Sequence, residues 1–118
     1  MIPRKSHAVR TPARPYPDAL VAQASSLGAR VRAARTRRGW RVEDLAARSD
    51  LSTKSIAAIE RGDLGTGFGA YLRALWALGL NEQLDVVADA GLDHTGLTLE
   101  LGAHGRRVRV KKASDNDF

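Results

Sequence analysis

The 118 residues contain no cysteine, which excludes a disulfide framework and any thiolate metal or redox site. A reducing compartment fits that, so a cytoplasmic, nucleoid-associated location is expected. Long apolar runs are missing too: none approaches the roughly 18 residues of a membrane span. The basic N-terminus has no apolar core behind it, so neither a signal peptide nor a membrane partner is expected. Proline is absent after residue 17. All four prolines, Pro3, Pro12, Pro15 and Pro17, alternate with Arg4, Lys5, Arg10 and Arg14. Such a segment can neither hold a helix nor bury a core, so residues 1–18 read as a flexible, disordered basic arm. That arm is either a solvated tail or one that follows phosphates into a minor groove. The convergent polar groups of an enzyme are also lacking. His7 lies in the arm, His94 and His104 have no matching acids, and Ser25, Ser49, Ser52 and Ser55 read first as caps or turn residues. No catalysis, metal or cofactor is expected.

What the chain does have is positive charge, unevenly placed. The formal net charge is +6. Arg30, Arg32, Arg35, Arg37, Arg38, Arg41, Arg48, Lys54 and Arg61 crowd the first half, whereas Ala74 to Gly105 holds no Lys or Arg, only Glu82, Asp85, Asp89, Asp93 and Glu100. Cations return at Arg106, Arg107, Arg109, Lys111 and Lys112. The pattern suggests a polyanionic partner for the first basic region.

Apolar periodicity divides the chain into short helices. Leu20, Ala24, Leu27, Val31 and Ala34 predict a first helix from Asp18 toward Gly39, although Ser25 and Ser26 could cap one starting at Leu27. Val42, Leu45 and Ala46 predict a second over Val42 to Arg48, broken at Ser49 and Asp50. Ser52 is a good N-cap for a third helix running to Arg61 and stopped by Gly62. Ile56 and Ile59 face the core there, leaving the short and basic residues outward. Gly62 to Gly69 resembles a phosphate cradle only superficially, lacking the Lys-Ser/Thr of a P-loop, and reads as a connection. A fourth helix puts Phe68, Leu72, Leu75 and Leu78 on one face, with Tyr71 and Trp76 as packing residues and Gly79 as its stop. Asn81 caps a fifth, Glu82 to Ala90, with Leu84, Val87 and Ala88 apolar. Leu97 to Leu101 and Val108 to Lys111 alternate like a hairpin, yet a helix through Leu97, Leu101 and His104 fits nearly as well.

With Leu45 and Ala46 in one helix, Leu51 and Ser52 at the turn, and Ile56, Ile59, Glu60, Arg61 and Gly62 in the next, the chain resembles the Cro/cI repressor-like (XRE-type) helix-turn-helix regulators. The resemblance spans roughly residues 25 to 80. It implies an all-α, compact five-helix lambda-repressor-like DNA-binding domain, with the arm before it and a short C-terminal hairpin or helix behind. The resulting division is an arm over 1–18, a helix-turn-helix domain over 19–92 and an extension with a basic tail over 93–118. Two positions depart from the family: Val42 stands where a phosphate-contacting Gln is common, and Asp50 where Gly is common.

The resemblance implies a dimer placing two recognition helices in successive major grooves of double-stranded DNA, with Thr53, Lys54 and Ala58 on base edges. Ser52, Ser55, Arg41, Arg61, Arg37 and Arg38 would hold phosphates. It also implies an ion pair of Arg35 with Glu60. A narrower resemblance, in the Leu72 to Leu80 segment with the acidic stretch and basic end behind it, is to HipB-like antitoxins, which repress their own operon and bind a HipA-like kinase toxin. The alternatives are a stand-alone or phage-type repressor, or a protein-interaction module that retains the fold.

Overall fold

The computed structural model describes residues 15–115, with side chains through residue 107. The arm therefore lies, as far as residue 14, outside the described residues. Among the described residues there are five α-helices: α1 (Asp18–Arg37), α2 (Val42–Ser49), α3 (Thr53–Glu60), α4 (Phe68–Ala77) and α5 (His94–Asp115). Two 3-10 turns, Asn81–Val86 and Ala90–Leu92, lie between α4 and α5, and no strand occurs among the described residues. The fold is all-α. It divides into two compact units, one ending at Asn81 and one beginning at Glu82.

In the first unit α1 packs on α3, and α2 packs on both α3 and α4. The core is Val31, Ala34, Leu45, Ala46, Ile56, Ile59, Ala74, Leu75 and Leu78. Each fully buried Val, Leu or Ile contributes roughly 1.5 to 3 kcal/mol, so this small set carries most of the stability. α1 runs unbroken through Ser25 and Ser26. Its N-terminal turns add little to the core, since Leu20 is 43% exposed.

The ends of α2 and α3 are closed by local chemistry. Asp44 accepts the Arg41 backbone N–H at 2.8 Å, at the start of α2. Ser49 belongs to α2 and does not break it: its buried hydroxyl donates to the Leu45 carbonyl at 2.6 Å. The reversal falls one residue later, at Asp50, whose φ of 55° is the left-handed conformation that Asp tolerates better than most residues. Gly62, with φ of 74°, terminates α3 while its N–H and that of Asp63 satisfy the Ile59 and Ala58 carbonyls. In the following turn the Asp63 carboxylate accepts the Thr66 hydroxyl and the Gly65 amide. Those two donors, the hydroxyl foremost, hold it below the usual carboxylate range. The Tyr71 hydroxyl closes the turn by donating to the Asp63 carbonyl at 2.7 Å.

α4 turns its leucines inward as expected, but not the two large aromatic residues Phe68 and Trp76. Ala74, Leu75 and Leu78 are buried and Tyr71 and Leu72 half-buried, while Phe68 is 67% and Trp76 63% exposed. At 100° per residue, a core face centred on Leu75 and Leu78 puts Trp76 on the far side of the helix, so Trp76 is not a core residue.

In the second unit one expectation is corrected and one open alternative is resolved. Residues Glu82 to Ala90 do not form an α-helix: 3-10 geometry ends at Val86, and Ala88 has φ of 61°. Val86 and Val87 are exposed, so there is little apolar face whose burial would propagate a helix. Residues 97–111, which the pattern left between hairpin and helix, are helical within α5, which packs on the Ala90–Leu92 turn.

Candidate nucleic-acid interface

α3 is a short helix held at both ends with one bare side. The Ser52 hydroxyl accepts the Ser55 N–H at 3.1 Å and donates to the Ser55 hydroxyl at 3.0 Å. The first-turn amides of Thr53 and Lys54 have no acceptor in the preceding turn, as at any helix start. Ile56 and Ile59 are fully buried and fix the rotation of the helix. Lys54, Ala57, Ala58 and Arg61 consequently lie on the side away from the core, Lys54 and Arg61 exposed and the two alanines half-buried. Thr53 is exposed at the flank of that stripe, and Ser55 is half-buried at the other. The small alanines leave room for a groove wall between two cations.

The other end of α3 is tied down by Arg35. The side chain of Arg35, a residue 8% exposed, donates from Nε to Glu60 Oε2 at 2.6 Å and from Nη2 to Oε1 at 2.9 Å. Its Nη1 donates to the Trp40 carbonyl at 2.8 Å. One side chain thus joins α1, the end of α3 and the connection before α2. The hydrogen bond that Arg35 donates to Glu60 raises the Arg35 pKa above its ordinary value, and burial offsets only part of that. The bidentate geometry is the strong form of such a pair.

The remaining candidate cations differ in what already holds them. Arg37 is exposed. Arg38 donates to the Ala34 carbonyl at 2.7 Å and to the Leu78 carbonyl at 2.8 Å, linking the ends of α1 and α4. Two of its donors therefore satisfy carbonyls of the chain itself. Arg41 is 77% exposed beside Asp44 at 3.6 Å and Glu43 at 3.9 Å, contacts too solvated to restrain it strongly. Arg48 received no role from the sequence, yet its guanidinium carbon lies 4.1 Å from the centre of the Trp40 ring. Nothing in the eight-residue spacing announces that stack, because it depends on how the connection after α1 turns back on α2.

A shallow groove lies between α1 and the end of α3, lined by Ser25, Ala29, Arg32, Ala33, Thr36, Glu60 and Arg61. Its one carboxylate is already bonded to Arg35, so it offers neither a base nor an activated nucleophile. Among the described residues no group of His, Asp or Glu could hold a metal ion, and no helix is long and apolar enough to cross a membrane.

Comparison with protein families matches the Helix-turn-helix domain over residues 26–86, more than half of the chain. The chain belongs to the helix-turn-helix domain family. That match starts within α1, takes in α2 to α4 and ends with the first 3-10 turn. The family is one of DNA-binding domains. No curated protein and no solved structure matches the chain.

Proposed function

We propose that the chain is a dimeric, sequence-specific repressor that occupies a palindromic operator with one α3 helix per half-site. The observation carrying this reading is the outward stripe of Lys54, Ala58 and Arg61, opposite a buried Ile56 and Ile59, on a helix locked by Ser52 and by the Arg35–Glu60 pair. Lys54 suits guanine N7 and O6, and Thr53 and Ala58 suit a thymine methyl. Ser55, Arg37, Arg41 and Arg61 supply phosphate contacts, with Ser52 and Arg38 placing the elements that carry them. Selection of bound duplexes from a random pool tests the proposal. It should enrich a two-fold motif with half-site centres about 10 base pairs, or 34 Å, apart. A pool that enriches nothing would remove the regulator reading.

Two substitutions separate base reading from phosphate positioning. Lys54→Ala is expected to weaken the selected duplex by roughly 1 to 3 kcal/mol and to relax preference at one base pair, with little change on scrambled DNA. Arg41→Ala is expected to weaken both duplexes by the same factor and to make the logarithmic salt dependence shallower by about 0.9. Equal losses on both duplexes for Lys54→Ala would show that Lys54 reads no base.

The finer biological reading is an antitoxin that represses its own operon and binds a HipA-like kinase toxin. It is supported by the Leu72 to Leu80 segment with its Leu-Gly-Leu end. Copurification of an endogenous kinase-like partner tests it; a chain that purifies alone and still selects an operator is a stand-alone repressor.

A further inference from the structure

Residues 106–112 carry Arg106, Arg107, Arg109, Lys111 and Lys112 and no acid, directly after a stretch from Ala74 to Gly105 without a single Lys or Arg. All five positions lie within α5, and Arg106 and Arg107 are exposed. On a helix, Arg106 with Arg109 and Arg109 with Lys112 are three apart, and Arg107 with Lys111 are four apart, so neighbouring cations repel. Gly96, Gly102 and Gly105 weaken the same helix. Nor does an apolar stripe compensate, since Leu99 and Leu101 are 68% and 69% exposed. A helix of this composition gains most from a partner that neutralises its charge.

We propose that residues 106–112 are a second, sequence-independent DNA-binding element, whose helix is stabilised by the phosphates it contacts. This rests on the reading of the chain as a DNA binder. Duplex DNA fits because it presents a phosphate charge every 1.7 Å or so along its axis, and such a row requires no particular register. A lipid surface fits less well, because an interfacial helix needs an apolar face beside its cations. The five basic positions instead spread around the helix. The element would add non-specific affinity and leave sequence choice to α3.

The test replaces all five cations by glutamine in the full chain (R106Q, R107Q, R109Q, K111Q and K112Q together). Binding to a selected duplex and to a scrambled duplex is titrated over a range of salt. The variant is expected to bind scrambled DNA at least roughly tenfold more weakly at low salt, with a log–log salt slope shallower by about 2 to 4. Its ratio of selected to scrambled affinity should be unchanged. Helical circular dichroism should rise when scrambled DNA is added to the natural chain and not to the variant. An unchanged slope with unchanged scrambled affinity overturns the proposal while leaving the α3 reading intact. So does a substituted chain that loses binding to phosphatidylserine vesicles but none to DNA. If the natural chain binds neither duplex, the reading it rests on fails as well.

Discussion

Glu60→Ala is expected to lower the stability of the helix-turn-helix unit by about 3 kcal/mol, the penalty for stranding one partner of a desolvated ion pair. Arg35, whose side chain is 10% exposed in the intact pair, would keep its bond to the Trp40 carbonyl but lose both carboxylate oxygens, at 2.6 and 2.9 Å. The guanidinium cannot shed its proton to relieve that position. In a unit this small the loss is a large fraction of the total, and thermal unfolding should fall by roughly 10 to 20 °C. A second variant separates stranded charge from lost attraction. Replacing Arg35 and Glu60 together by leucine should recover part of the deficit, because the uncompensated charge is gone. Recovery should stay incomplete, since the Trp40 carbonyl then loses its donor. A double variant as unstable as Glu60→Ala alone would show that the stranded charge is not the cause.

That pair came from the family resemblance, whereas the turn around it was readable from local chemistry. Ser52 caps α3 and Gly62 ends it because a hydroxyl at a helix start and a left-handed residue at its end are requirements of the backbone itself. Ile56 and Ile59 were equally plain, since a buried pair three apart on so short a helix leaves one possible inward face. Trp76 was misplaced because Phe68, Leu72, Leu75 and Leu78 permit two adjacent faces, and only packing against α2 and α3 selects the one through Ala74. Residues 82–90 misled for a different reason. Asn81 followed by acids has the form of a helix start, but Asp85 and Asp89 repel at helical spacing and the valines find no core. In α5 the alternation of Leu97, Leu99 and Leu101 imitates a strand. At the candidate interface, the composition of the α3 surface was legible and the commitments of Arg38 and Arg48 were not. Both depend on atoms distant in sequence, the Leu78 carbonyl and the Trp40 ring.

Gly28 stands out in no sequence pattern, and Gly28→Ala should be the most informative single-methyl change in the chain. By helix propensity alone, alanine in the interior of α1 should stabilise it by about 0.8 to 1 kcal/mol. Packing predicts the opposite sign. A Cβ at residue 28 would lie 2.6 Å from both the Ile59 and Glu60 carbonyl oxygens, which are backbone atoms at the end of α3 and cannot turn aside as a side chain would. α1 would have to lift from α3, and overpacking of this kind costs about 1 to 3 kcal/mol, enough to exceed the propensity gain. The same face of α1 carries Arg35 two turns on, and its Ala24 backbone lies where a side chain at Gly62 would have to go. Lifting α1 would therefore also stretch the Arg35–Glu60 pair, so the effects of Gly28→Ala and Glu60→Ala should combine to less than their sum. Thermal or urea unfolding of the two single variants and the double variant measures both sign and coupling. A more stable Gly28→Ala protein would mean that the two helices do not cross at this distance. Strict additivity would mean that the crossing and the ion pair restrain α3 independently. With less than the sum, the close crossing and the buried pair act as one clamp on the end of the helix that presents Lys54 and Arg61.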